Sequence, residues 1–397
     1  MMKPLSLYIH FPFCIKKCRY CDFYSISAEP LKIAEYSAAL KQEIKSTGNQ
    51  FKNSSVTSIY IGGGSPNLMP REEFTDLINT VRDEFNVSET LEFTVEMNPA
   101  NHNIEFLKTL SISGVNRINV GAQSFVEEEL NILGRVHSIK DTIATVGTLD
   151  KIGYEHIGLD LIYGIPGQTM ESWCYSLESA LKLNVDHLSL YNLSYEEGTE
   201  LSHMLKQGKI QALDVEIEKQ FYLKACRILA ERGFHHYEIS NWAKPGCESR
   251  HNRAYWEGGV YLGYGPSAHS FDGHSRWWNV RSVEKYIERI NNRISAIENS
   301  ENLTEQDREI EQLFLRLRTS NGLSRSQFEN IFHLDFKRIV RKLEEMKISE
   351  EYWIFDGNTF KLTPAGWFVS DSIIYTILSY AEEIRNDHKK GRIGFKS

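Results

Sequence analysis

Over its first two-thirds the chain alternates strand-like with helix-like segments, and this alternation limits the fold more than any other property of the sequence. Short runs rich in β-branched and aromatic residues fall at 5–11, 56–61, 91–96, 117–120, 156–163 and 186–193. Helical periodicity fills the gaps. In 31–47, Ile33, Tyr36, Leu40 and Ile44 recur on one helix face, and 72–85, 103–112, 138–152 and 171–183 follow the same rule. Repeats of this kind build parallel sheets through right-handed crossovers. Six of them predict an α/β fold, a partial (β/α)6 TIM-like barrel.

Polar or glycine-rich motifs recur near the ends of these strands. The first strand runs into a loop carrying Cys14, Cys18 and Cys21, and the second into Gly62-Gly63-Gly64-Ser65-Pro66. The third ends in Glu96-Met97-Asn98-Pro99 and the fourth in Gly121-Ala122-Gln123-Ser124-Phe125. The fifth carries Asp160 and leads to Gly164-Ile165-Pro166-Gly167, and the sixth reaches Asn192. Parallel barrels place their sites at the C-terminal ends of the strands, so these groups are expected around one mouth.

The CxxxCxxC trio puts three thiols within eight residues. Three thiolates can hold a 4Fe–4S cluster and leave one iron free for an amine and a carboxylate, as S-adenosylmethionine offers. The competing reading is structural zinc, which ordinarily takes four protein ligands; only His10 is near enough in sequence to be the fourth. Inert buried thiols fit poorly with Lys16, Lys17, Arg19 and Asp22 interleaved among them. Cys174 and Cys226 lie in helical patterns and read as packed free thiols, while Cys247 stays open.

The glycine run reads either as a tight turn or as a close backbone approach to a ligand amino group. Glu96 ends an apolar strand, where it either meets ligand hydroxyls and ammonium or forms a buried ion pair, with Arg117 as the available cation. Gln123, Arg135 and Asp160 are each open between cofactor contacts and rim salt bridges. Further on, Arg250-His251-Asn252-Arg253-Ala254-Tyr255-Trp256 lies among aromatics and glycines. It can line a flat pocket for a macrocycle with imidazole as axial ligand, although sequence alone favours a packed aromatic seam.

At 397 residues the chain can bury one large domain and a smaller companion. A net charge of −8 gives no general reason to bind nucleic acid. The N-terminal segment does not read as a secretory signal, no apolar run is long enough to span a bilayer, and clustered thiols suit a reducing cytoplasm. The expected division is a barrel over 1–212, an aromatic and glycine-rich extension packing on it over 213–300, and a C-terminal domain over 301–397. That last part reads as helices followed by a strand pair and a terminal helix, a winged-helix-like order, with a polar tail from Asn386. Its 15 Lys plus Arg against 16 Asp plus Glu do not point to DNA, so docking or structure is expected of it.

The trio after YIHFPF, with GGGSP, ExNP, GAQSF and DLIYGIPGQ in order, resembles the radical S-adenosylmethionine superfamily, in its oxygen-independent coproporphyrinogen III oxidase branch. The resemblance covers essentially the whole chain. Within that branch it resembles the HemW-type haem chaperones more than the oxidases. The oxidases carry a further cysteine where this chain has Phe23 and have a longer segment before the first strand, while His251 to Trp256 match the HNxxYW motif associated with haem binding in the chaperones. Ser65 stands where the family usually has threonine, which keeps the hydroxyl.

The resemblance implies Cys14, Cys18 and Cys21 on a 4Fe–4S cluster. It implies Tyr8, Tyr20, Gly63, Gly64, Ser65, Glu96, Gln123, Arg135 and Asp160 around S-adenosylmethionine, and His251 as the haem contact. Its implied partners are haem, haem-accepting apo-proteins and a membrane-associated haem donor. The alternatives it leaves are a radical decarboxylase of coproporphyrinogen III or another tetrapyrrole, and an interaction module with a structural cluster.

Overall fold

The computed structural model describes residues 2–346 and 348–393, with side chains through 384. Six strands and their connecting helices form the frame: β1 (Lys3–Phe11), α1 (Pro30–Thr47), β2 (Ser54–Gly63), α2 (Arg71–Glu84), β3 (Val87–Met97), α3 (Ile104–Ile112), β4 (Arg117–Gln123), α4 (Glu127–Leu133), α5 (Ile139–Ile152), β5 (His156–Tyr163), α6 (Met170–Leu181) and β6 (His187–Asn192). The strands pair in chain order and in parallel, as the alternation predicts for a partial barrel. Local chemistry sets the helix ends. Asn103 caps α3, capping boxes at Ser138/Asp141 and Thr169/Ser172 open α5 and α6, and left-handed Gly134 and Gly153 close α4 and α5.

The cross-strand register sorts the side chains into two faces. Leu7, Ile9, Ile59, Ile61, Phe93, Val95, Ile118, Val120, Leu159, Leu161, Leu188 and Leu190 are buried in the main core beneath the helices. The opposite face is polar: Ser6, Ser58 and Glu92 lie side by side, as do Tyr8 and Tyr60, and Glu96 with Asn119. Asp160 there pairs across to Ser189. Strand alternation thus buries apolar groups outward and leaves a hydrogen-bonding interior.

The region after the barrel contains strands that its sequence does not reveal. It comprises α7 (Glu200–Lys206), α8 (Val215–Glu231), β7 (His235–Glu238), β8 (Asn241–Ala243), α9 (Arg250–Trp256), β9 (Tyr261–Tyr264), β10 (His269–Phe271), β11 (Ser275–Asn279), α10 (Val283–Asn291) and β12 (Ile297–Asn302). The result is one twelve-stranded sheet in the order β12-β11-β10-β9-β1-β2-β3-β4-β5-β6-β8-β7. β9 runs parallel to β1, whereas β10 to β12 at one end and β8 and β7 at the other are antiparallel.

Then follow α11 (Glu305–Leu317), β13 (Leu323–Ser324), α12 (Arg325–Phe332), α13 (Phe336–Glu345), β14 (Trp353–Phe355), β15 (Thr359–Leu362), α14 (Pro364–Phe368) and α15 (Ser370–Ile393). Their core is separate, built on Leu313, Leu317, Phe328, Phe336, Phe360 and Ile374. The helix–strand–helix–helix–hairpin order matches the winged-helix expectation. The expected tail from Asn386 is corrected: the α15 backbone runs to Ile393, since each residue added to a packed helix gains a backbone hydrogen bond. Residues 394–397 lie outside the described residues. No helix among the described residues is long and apolar enough to cross a membrane.

Candidate functional site

The cysteine loop is pinned on both sides. Phe13–Cys14 pairs with Ile26–Ser27, Arg19 N–H donates to the Leu133 carbonyl (3.0 Å), and Leu201 N–H donates to the Arg19 carbonyl (2.9 Å). Arg19 also bonds the Asn131 carbonyl and pairs with Glu200 at 3.0 Å. This anchoring holds the three thiols at the wall of a cavity of about 520 Å3. Burial pushes the Cys14 thiol up and the Cys21 thiol up to about 11, so both are protonated until something cationic meets them.

His10, the only nearby fourth ligand for zinc, is already engaged. It donates from Nε2 to the Tyr24 carbonyl (2.9 Å) and accepts the Tyr8 hydroxyl on Nδ1 (3.0 Å). Three half-buried thiols with His10 engaged elsewhere fit a cluster with one open iron better than a closed zinc site.

Tyr20, Gly63, Gly64, Ser65, Glu96, Gln123, Arg135 and Asp160 line this same cavity. Arg135 spans it, donating to Cys18 Sγ (3.2 Å), the Gly121 carbonyl (2.8 Å) and His137 Nδ1 (3.2 Å). Burial and the Arg135 charge hold His137 down at about 4, and its Nε2–H donates to the Ala122 carbonyl. Gln123 sits at φ 65 where the β4–β5 register slips, a left-handed conformation that directs its amide to the mouth. Ser65 donates to Cys14 Sγ at 3.9 Å.

The glycine run is shaped by protein as much as by any ligand. A Cβ on Gly62 would lie 2.7 Å from the Glu96 carboxylate, and one on Gly64 2.5 Å from the Phe13 carbonyl. Gly63 N–H donates to Glu96 Oε2 and Gly64 N–H to the Phe11 carbonyl.

Two carboxylates give the cavity its character. Glu96 accepts Tyr60 O–H (2.7 Å) and Gly63 N–H (3.0 Å), and burial raises its carboxyl. The ion pair with Arg117 does not form; Arg117 instead pairs at 3.5 Å with Glu92, two inward positions earlier on the strand. Asp160 is raised to about 7 by burial and then by the charge of Glu96, and its Oδ1 is buried without a partner. Rim salt bridges for Arg135 and Asp160 are absent among the described residues. Two uncompensated acids and an unpartnered oxygen fit a cationic amino-acid ligand carrying hydroxyls, the chemistry of S-adenosylmethionine.

Tyr8 and His251 do not line this cavity. They face a neighbouring one of about 550 Å3, which shares Asp22, Phe23 and Glu96 with the first. His251 is seated by α9, whose N-terminus is held by Glu92: Arg250 N–H donates to Oε2 (2.9 Å) and His251 N–H to Oε1 (2.8 Å). Ser58 gives its own proton to Ser6, so His251 Nδ1–H donates to Ser58 Oγ at 2.9 Å. The Nε2 lone pair therefore faces the hydroxyl of Tyr255, one helical turn on, at 3.2 Å. Burial holds the imidazole down at about 3. The packed-seam reading thus describes His251 correctly as a satisfied buried group, yet its ring also borders open space.

Sequence reasoning missed Glu92, His137 and Asn119. Glu92 was legible in the LEFTVE alternation, which puts it on the same face as Glu96. Asn119, whose buried Oδ1 is unpartnered at the cavity, had the same period-two signal in RINVGAQ.

Comparison with known proteins places this geometry. Residues 8–180 match the radical SAM superfamily and 303–369 the HemN C-terminal domain. The heme chaperone HemW of Mycobacterium tuberculosis (strain H37Rv) is 32% identical over 379 residues, covering 95% of each chain. That of Bacillus subtilis (strain 168) is 37% identical over 326 residues, covering 81% of this chain and 86% of the relative. Among solved structures, the coproporphyrinogen III oxidase HemN of Escherichia coli superposes with a TM-score of 0.82 at 24% identity, over 96% of this chain and 91% of that one. That likeness establishes the shared fold, a radical SAM partial barrel with a C-terminal helical domain. With the barrel, the cysteine loop and near full-length likeness in agreement, the chain belongs to the HemW heme-chaperone family of the radical SAM superfamily.

Proposed function

We propose that this chain is a cytoplasmic haem-binding chaperone. It holds a 4Fe–4S cluster through Cys14, Cys18 and Cys21, keeps S-adenosylmethionine in the cavity beside it, binds haem in the second cavity, and passes haem to apo-proteins. The observation that carries this reading is the shared wall: Glu96, Asp22 and Phe23 border both cavities, so the two ligands would lie side by side. In the same reading, 1–212 carries cluster and cofactor, 213–300 carries the haem motif, and 301–397 serves docking, with a membrane-associated protein as haem donor.

The bound cluster would supply an electron and an open coordination site. Glu96 and Asp160 accept from the ligand's ammonium and hydroxyls, while Arg135 keeps a cationic donor on the sulfur side. At the haem side, Tyr8, Tyr60, Tyr255 and Tyr261 offer an aromatic wall. His251 Nε2, now facing the Tyr255 hydroxyl, would be the nitrogen that holds haem there.

Anaerobic cluster reconstitution followed by haem addition tests the reading. A shifted Soret band that His251→Ala weakens, with no decarboxylated product from coproporphyrinogen III, is expected. An unchanged haem spectrum with the cluster intact overturns it. The intact acidic cradle of Glu96 and Asp160 favours one second reading, radical chemistry on a tetrapyrrole, and porphyrin product lost in Cys18→Ser would establish that instead.

A further inference from the structure

A second group of potential metal ligands lies at the opposite end of the barrel. His156 opens β5, Asp186 immediately precedes β6, and Cys247 lies between β8 and α9. One donor atom from each falls within 4.8 Å of the other two, an arrangement the cysteine loop has no part in. His156 Nδ1 and Asp186 Oδ2 are 2.6 Å apart. The Cys247 thiol lies against the Asp186 carboxylate, whose Oδ1 is buried with no N–H or O–H donor on it, and Nδ1 of the adjacent His187, a residue only 1% exposed, is likewise buried without a partner. The His156 and Asp186 side chains keep 27% and 14% of their exposure, which leaves a route in from solvent.

The charges run the same way. Arg117 lies nearby: its Nε pairs with Glu92 at 3.5 Å, its Nη2 donates to the Cys247 carbonyl at 2.8 Å, and its Nη1 is buried without a hydrogen-bond partner. Glu92 and Asp186 are balanced by Arg117 and by Arg250, which pairs with Glu92 at 3.9 Å, so a Cys247 thiolate would bring one uncompensated negative charge for a cation to meet.

We propose that His156, Asp186 and Cys247 form a site for a divalent transition metal of borderline softness, with zinc as the natural occupant and water in the fourth position. Nitrogen, carboxylate oxygen and thiolate sulfur are the donor set such ions select. Binding replaces the proton shared by His156 and Asp186 and releases the thiol proton of Cys247. Tetrahedral bond lengths then require the 2.6 Å contact to open to about 3.4 Å. The site would act as a clasp. Cys247 lies two residues before Ser249, the N-cap of α9, so metal would tie the ends of β5 and β6 to the segment that delivers His251.

The test must keep the cysteine loop silent. In the full chain with Cys14, Cys18 and Cys21 all changed to alanine, Co2+ titration should give tetrahedral d–d bands and a thiolate charge-transfer band at one ion per chain. Adding Cys247→Ala should abolish the charge-transfer band, adding Cys226→Ala should leave it, and Zn2+ should displace it. His156→Ala should weaken binding about tenfold or more. Because the loop variant lacks the cluster, the zinc content of cluster-loaded wild type after dialysis provides a second measure. One zinc per chain, lost in Cys247→Ala, is expected. Absence of the thiolate band in a folded loop variant, its persistence in Cys247→Ala, or zinc-free wild type after exposure to zinc would each overturn the proposal.

Discussion

Replacing Asp160 with asparagine should make the cofactor-free protein more stable and its S-adenosylmethionine binding weaker. Burial and the neighbouring Glu96 raise the Asp160 carboxyl from 3.8 to about 7, and its Oδ1 has no partner. A carboxyl whose folded value is raised costs stability as pH climbs from its unfolded value, near 3.8, to its folded value; above about 7 the cost is constant. Three units amount to about 4 kcal/mol. Because the group borders an open cavity, water screens it and roughly half of that remains. Asparagine has no such titration. The advantage of Asp160→Asn should therefore grow by about 1 kcal/mol between roughly pH 5.5 and pH 8, a gain of about 1 °C in melting temperature. Thermal unfolding of cluster-loaded, cofactor-free protein at both pH values reads this directly. Calorimetric titration should show affinity falling roughly ten- to a hundredfold, since one charge-assisted hydrogen bond is lost. A variant less stable at pH 8, or an advantage that does not change with pH, would refute the reasoning.

Glu92→Gln should cost about 3–5 kcal/mol in urea unfolding, because it strands the buried Arg117 without its counter-ion. It should also loosen α9, with faster amide exchange at Arg250 and His251, whose N–H groups Glu92 accepts. Gly62→Ala places a Cβ 2.7 Å from the Glu96 carboxylate, so Glu96 must move. S-adenosylmethionine affinity should fall about tenfold while iron content stays at the wild-type level, as titration and iron analysis would show.

Much of the frame was legible because each barrel strand carries its own signal. The 156–163 run coincides with β5, and the other five are found within a few residues of their expected ends. The strands of 235–302 were hidden for a physical reason. β12 reads Ile-Glu-Asn-Ser-Glu-Asn and is exposed throughout, so its extended form comes from pairing with β11, not from its composition. β7 and β8 are four and three residues long, too short for periodicity to register. At the site, the motif residues of successive strand ends converge on one cavity, as parallel topology demands. What the residues alone did not disclose is the second cavity, because Tyr8 comes from β1 and His251 from a helix 243 positions later. Arg117 was paired in expectation with the wrong carboxylate: the register sets it opposite Thr94, midway between Glu92 and Glu96, and only its side-chain conformation selects Glu92.

One continuous stretch, from β7 to β12, supplies the outer strands at both edges of the sheet, with α9 on the way from one edge to the other. This arrangement orders events during synthesis. Ser6 of β1 pairs with Tyr261 of β9, so the first strand made waits for one of the last before its second side is hydrogen-bonded. Such distant pairing is slow to form. Until the ribosome has released β9, the nascent barrel presents an unpaired parallel edge on β1. Translation beyond residue 261 is therefore the point after which β1 gains a hydrogen-bonded neighbour on its second side.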